Sequence, residues 1–139
     1  MTRPRGSAAA VTAIALWSFV SVSAAFSAEP GPPPEEDYAL QCMGCHLPDG
    51  SGLPGRVPSL LGFDRFLARE GGRAYLIRVP GVAQSSLSDA RLAALLNWLV
   101  QEFGRDAASD APPFTSSEVS QFRESPLLNP AQTRRELLE

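Results

Sequence analysis

Apolar residues recur at helical spacing in several stretches of this chain and crowd together in one near its start. The clearest stretch holds Leu92, Leu95, Leu96, Leu99, Val100 and Phe103, which form one continuous helical face. Ser86 or Ser88 can cap that helix, Asp89 lies in its first turn, and Gly104 stands just past its end. A second stretch, Phe63 to Glu70, carries Phe63, Phe66 and Leu67 at helical spacing and stops at Gly71-Gly72. A short turn of helix through Arg73 to Ile77 follows, and Pro80 ends it. Upstream, the pattern predicts a helix from about Pro34 to Cys45. Prolines suit its first turn, Glu35, Glu36 and Asp37 favour the positive end of its dipole, and Tyr38 and Leu40 begin its apolar side. No segment reads as convincingly β-rich, so the expected fold class is all-α.

The two ends read differently. Arg3 and Arg5 precede an apolar stretch from Ala8 to Val22, followed by small residues, which is the layout of a secretory signal peptide. Ser23-Ala24-Ala25 fits the small-x-small rule better than Phe26-Ser27-Ala28, so residues 1–28 are assigned as leader with cleavage between 24 and 28. Its Ser and Thr residues make it a weak membrane helix, and no stable membrane insertion is expected after cleavage. Residues 29–34, with four prolines, form an extended lead-in. Residues 35–104 make the main domain, and residues 105–139 are a C-terminal extension. Within the extension, Ala107 to Pro113 reads as a linker. Thr115-Ser116-Ser117-Glu118 has capping-box spacing ahead of a helix from Ser116 to Arg123. Pro130 can begin another helix, with Leu137 and Leu138 as its apolar contacts.

Composition narrows the partners. About 110 residues remain after the leader, one domain of ordinary size. The formal charge is −3 and becomes more negative once Arg3 and Arg5 are lost, which argues against nucleic acid as a partner. A protein partner with a complementary basic patch fits better.

The chemistry concentrates in five residues, Cys42-Met43-Gly44-Cys45-His46. The chain has two cysteines and one histidine, and all three lie here. Cys-x-x-Cys-His is the attachment signature of a c-type haem. Thiols three residues apart lie on one side of a turn and can add to the two vinyl groups of one porphyrin edge, while His46 follows to coordinate the iron. Zinc would need four N/S ligands for a closed structural site, and only three are present. A thioredoxin-like pair would need a βαβ frame, and a plain disulfide would leave His46 without a role. Export and haem agree, because this attachment takes place on the outer side of the bacterial inner membrane; the expected location is the periplasm.

With a helix before the motif, a long loop bearing Pro48, Pro54 and Pro58, a Gly-Gly pair, a Val-Pro step and a closing amphipathic helix, the chain resembles the class I cytochromes c from roughly Glu35 to Phe103. The resemblance implies a cytochrome c-like single haem domain with one covalent haem c. It implies that Tyr38, four positions before the first cysteine, packs against Trp98 in the last helix. It also implies that the Pro58 carbonyl accepts the N–H of His46 and raises its basicity.

One departure matters. Val79 precedes Pro80 where the family commonly places a methionine as sixth iron ligand. The only methionines are Met1 and Met43, the second inside the attachment turn, and the chain has no second histidine and no lysine. Elimination leaves a five-coordinate iron, a water ligand or an unusual ligand, with Tyr75, Gln84 and Arg78 as candidate distal neighbours. The leading expectation is a carrier of single electrons between exported proteins, with no catalytic residue required. The alternative is a haem protein whose open distal site binds a small gas or supports weak peroxidase activity, for which Asp64, Glu70 or Arg78 would have to serve as the distal polar group. A third reading has a partner chain contributing the sixth ligand. The extension can wrap the haem domain through Phe114, Phe122 and its leucines, cover an edge of the distal side, or dock a partner.

Overall fold

The first helix, α1 (Pro34–Gln41), begins on proline with three acidic residues in its first turn and stops four residues short of the expected Cys45. The reason is local. The Cys42 and Met43 amides both turn back onto the Tyr38 carbonyl, at 2.9 and 3.1 Å, and the Cys45 and His46 amides both close on the Cys42 carbonyl, at 3.0 and 2.9 Å. Two amides sharing one acceptor tighten the chain into successive turns, and Gly44 offers little resistance to leaving the helix. The computed structural model describes Thr2, residues 31–105 and residues 111–139. The leader, its cleavage point and most of the Ala107–Pro113 linker lie outside the described residues.

Residues 47–62 form a loop tied down at three places. The Tyr38 hydroxyl donates to the Leu47 carbonyl at 2.6 Å, the Leu60 amide to Gly50 at 2.8 Å, and the Gly62 amide to the Phe103 carbonyl at 2.7 Å. An isolated antiparallel bridge joins Leu53 and Val57, and no strand forms among the described residues.

Phe63–Phe66 is a single 3₁₀ turn, not the helix to Glu70 that the spacing predicts. Beyond it the amides of Leu67, Arg69 and Gly72 each bond to a carbonyl three residues back. The glycine pair decides this. A Cβ on Gly72 would lie 1.8 Å from the Phe66 carbonyl oxygen, so only glycine lets the chain fold back this closely. The next helix, α2 (Gly72–Arg78), is followed at once by α3 (Pro80–Ala83). Pro80 therefore opens a helix instead of ending one. The residue before a proline is pushed out of the helical region, and Val79 takes the extended ψ of 128° that separates the two.

Helix α4 (Asp89–Phe103) is capped by Ser88, whose hydroxyl accepts the Arg91 amide at 3.3 Å. Gly104 lies past its end as expected, but with φ −69° it leaves in an extended conformation and not through a left-handed cap. Tyr38, Trp98 and Phe103 meet between α1 and α4, with centroids 5.4 to 5.7 Å apart. Asp37, also buried in α1, pairs with Arg91 of α4.

Two more helices follow, α5 (Ser116–Arg123) and α6 (Pro130–Leu138). Thr115 caps α5 by accepting the Glu118 amide at 3.2 Å. The Glu118 carboxylate pairs with Arg73 at 2.6 Å, so the box is half formed and its acid is spent on a tertiary contact. The extension packs on α2, α3 and α4. Phe114 and Val119 join the buried core with Phe66, Ile77 and Leu92, and Phe122, Leu127, Leu137 and Leu138 lie against it.

Candidate haem site

The turn that follows α1 presents Cys42 half-buried and Cys45 exposed, both as free thiols. Burial, then the nearby Asp37 and Cys45, push the Cys42 thiol up to about 11, so it is protonated at neutral pH. His46 is half-buried, and burial holds its imidazole below the usual histidine range. A neutral imidazole is the form that binds a metal.

His46 opens onto an apolar cavity of about 120 Å³. Pro58, Ser59 and Leu60 come from the loop, Phe63 and Phe66 from the 3₁₀ turn, and Leu96 and Leu99 from α4. Tyr75, Leu76 and Val79, from α2 and its end, join Val82 of α3, and Arg134 of α6 completes the lining. Two observations fit this site to a haem. The walls are mostly hydrocarbon, as a flat apolar ring requires. The Nδ1 atom of His46 is buried without a hydrogen-bond partner among the described residues, a deficit of about 1–3 kcal/mol that a native site rarely leaves unused.

The structure gathers most of the residues singled out in the sequence and separates others. His46, Pro58 and Tyr75 share the cavity. The hydrogen bond from His46 to the Pro58 carbonyl is not made here, since Nδ1 has no partner. Gln84 is exposed and away from the lining. Arg78 is occupied elsewhere, its Nε donating to the Ser125 carbonyl at 2.7 Å. Asp64 is buried but outside the lining, and Glu70 is exposed. Where a methionine ligand would be expected, Val79 and Val82 face the cavity.

Arg134 was not singled out by sequence reasoning. A signal existed: Arg134, Leu137 and Leu138 stand at i, i+3 and i+4 after the Asn129-Pro130 helix start, one face of a short helix. The cavity that this face would meet was not visible in the sequence.

No family model matches the chain. It is 38% identical over a 104-residue alignment to cytochrome c-552 of Thermus thermophilus, covering 60% of this chain and 79% of that protein. Another cytochrome c-552 of Thermus thermophilus matches at the same identity, with 70% of its length covered. An attachment turn on an apolar cavity, an aromatic seam between the first and the long fourth helix, and this degree of identity have one common explanation: the chain belongs to the class I c-type cytochromes.

Proposed function

We propose that the protein is an exported electron carrier in which Cys42 and Cys45 hold haem c through thioether bonds and His46 ligates its iron. The observation that carries this reading is the Cys42–His46 turn set against an apolar cavity, with the His46 imidazole half-buried and held by burial below the usual histidine range. Bound there, haem c supplies a one-electron ferric/ferrous couple. The protein's part is to exclude water with the hydrocarbon walls, to orient His46, and to leave one edge accessible. Pro58, on the same cavity, is the residue whose carbonyl would orient the imidazole on haem loading.

Electrons would leave through the edge beside the attachment turn, where Cys45 is exposed together with Leu40, Met43 and Leu47. An apolar surface there suits a partner that docks briefly, and the negative formal charge of the chain suits one with a basic patch. Residues 35–104 would be the haem domain and 105–139 an extension of it. Export by the leader would deliver the protein to the periplasm; no helix among the described residues is long and apolar enough to cross a membrane.

The test is expression with an intact cytochrome-maturation system. The product should be red, with a mass raised by one haem that survives denaturation. Cys42→Ala with Cys45→Ala should abolish covalent attachment, and His46→Ala should abolish the normal spectrum. A colourless protein of bare polypeptide mass overturns the reading.

A further inference from the structure

We propose that the C-terminal extension is a built part of the haem site, and that Arg134 would bind a small anion entering the cavity it shares with His46 once haem is loaded. This rests on the haem reading above and goes beyond electron transfer.

The extension is fastened, not trailing. Asn97 of α4 exchanges two hydrogen bonds with the Phe114 backbone, at 3.0 and 2.7 Å. Arg123 donates to the carbonyls of Ala83, Ser85 and Leu87 and to the Asp89 carboxylate at 2.7 to 3.2 Å. The Leu127 amide donates to the Arg78 carbonyl at 2.9 Å. These contacts set α6 on α2 and bring Arg134 to the same cavity as His46.

Its environment there is unusual. The guanidinium lies 5.0 Å from the ring centroid of fully buried Phe66. Arg73, Arg78 and Arg123, the other arginines of this interface, each spend their donors on a carboxylate or a carbonyl. Arg134 has neither within hydrogen-bond distance among the described residues. A half-buried cation resting on a ring face gains from an anion that enters beside it.

The inventory of ligands points the same way. The chain's single histidine is His46, it has no lysine, and Met43 lies in the attachment turn. Val79 and Val82 supply no donor atom to the cavity. A ferric haem would supply part of the charge that an entering anion needs, and Arg134 is the lining residue that adds a fixed positive charge together with hydrogen-bond donors. A neutral ligand needs neither.

That difference is the test. Haem-loaded wild type, Arg134→Gln and Arg134→Lys are titrated with sodium azide in the ferric state and with carbon monoxide in the ferrous state, followed in the Soret band. Loss of the charged donor should weaken azide by about tenfold to a hundredfold and leave carbon monoxide affinity within about twofold. Arg134→Lys, which keeps a charge but not the forked donors, should fall between. Unchanged azide affinity in Arg134→Gln overturns the proposal. So does a shifted reduction potential with unchanged azide affinity, which would assign the guanidinium to the haem propionates. Should Arg134→Gln fail to load haem, Arg134→Lys decides, and wild-type azide affinity in that variant overturns the proposal. A wild type that carries haem but takes up neither ligand has a filled sixth position; the proposal then falls while the haem reading stands.

Discussion

Removing Arg123 should loosen the wall of the haem cavity from a distance. Its guanidinium bridges α5 to the segment between α3 and α4, reaching the Ala83 carbonyl at 3.2 Å, Ser85 at 2.7 Å and Leu87 at 2.8 Å. The fourth partner, Asp89 at 2.8 Å, is about one third exposed, and solvent screening makes that pair a minor contributor. The three carbonyls matter more. The Arg123 side chain is only 16% exposed, so Arg123→Ala removes charged donors that water replaces incompletely. Hydrogen bonds to a charged group contribute about 1.5–3 kcal/mol each, and they are not additive when one side chain makes several. A loss of roughly 2–4 kcal/mol follows, an appreciable share of the stability of a domain this size. Arg123→Lys keeps the charge but cannot span all the acceptors, and should recover less than half. Urea unfolding of the haem-loaded protein, monitored by circular dichroism in the far ultraviolet, measures both variants. Losses under about 0.5 kcal/mol in both would refute the reasoning, because they would mean that the carbonyls rehydrate freely and the clamp is ornamental.

Two further outcomes follow from single contacts. Gly72→Ala forces a Cβ to within 1.8 Å of the Phe66 carbonyl oxygen and should cost about 2–4 kcal/mol, whereas Gly55→Ala, at φ +74° with nothing within 4 Å, should cost only the backbone strain of about 1–2 kcal/mol; equal losses in urea unfolding would refute the crowding argument. Tyr38→Phe removes the hydroxyl's bond to the Leu47 carbonyl and should cost about 1 kcal/mol at neutral pH. Burial, then Cys42 and Asp49, hold the Tyr38 phenol above its usual value. The folded state therefore keeps its proton while the unfolded chain loses it. This residue's contribution is complete below the ordinary tyrosine value of about 10 and declines as pH rises through the folded value. Wild-type stability should fall more steeply than that of Tyr38→Phe above that point, and parallel curves would contradict the assignment.

The helices differ in how far their own residues define them. Helix α4 was legible end to end because a 3.6-residue apolar repeat and a serine cap agree, each acting within a few residues, although Gly104 ends it in an extended conformation. The Tyr38–Trp98 contact was legible only through the family resemblance, since no local rule pairs residues so far apart in the chain. Phe63–Glu70 misled because three apolar residues at helical spacing also suit a 3₁₀ turn. The close approach of Gly72 to the Phe66 carbonyl, a contact made on folding, chose between them. Pro80 misled in the same manner: a proline that cannot continue one helix is well placed to begin the next.

For the site, the Cys42-Met43-Gly44-Cys45-His46 cluster was legible in the chain and the shape of the pocket was not. Two thiols and an imidazole within five residues determine what can be attached, because bond formation depends on neighbours along the backbone. The absence of a methionine ligand could likewise be counted. What faces the iron depends on which distant segments pack together, and only the folded chain brings α6 across α2 to set Arg134 beside the cavity that contains His46. That placement comes from a carboxylate on α5, the carbonyls after α3 and the backbone beyond α5 finding their arginine partners, interactions that no spacing in the sequence encodes.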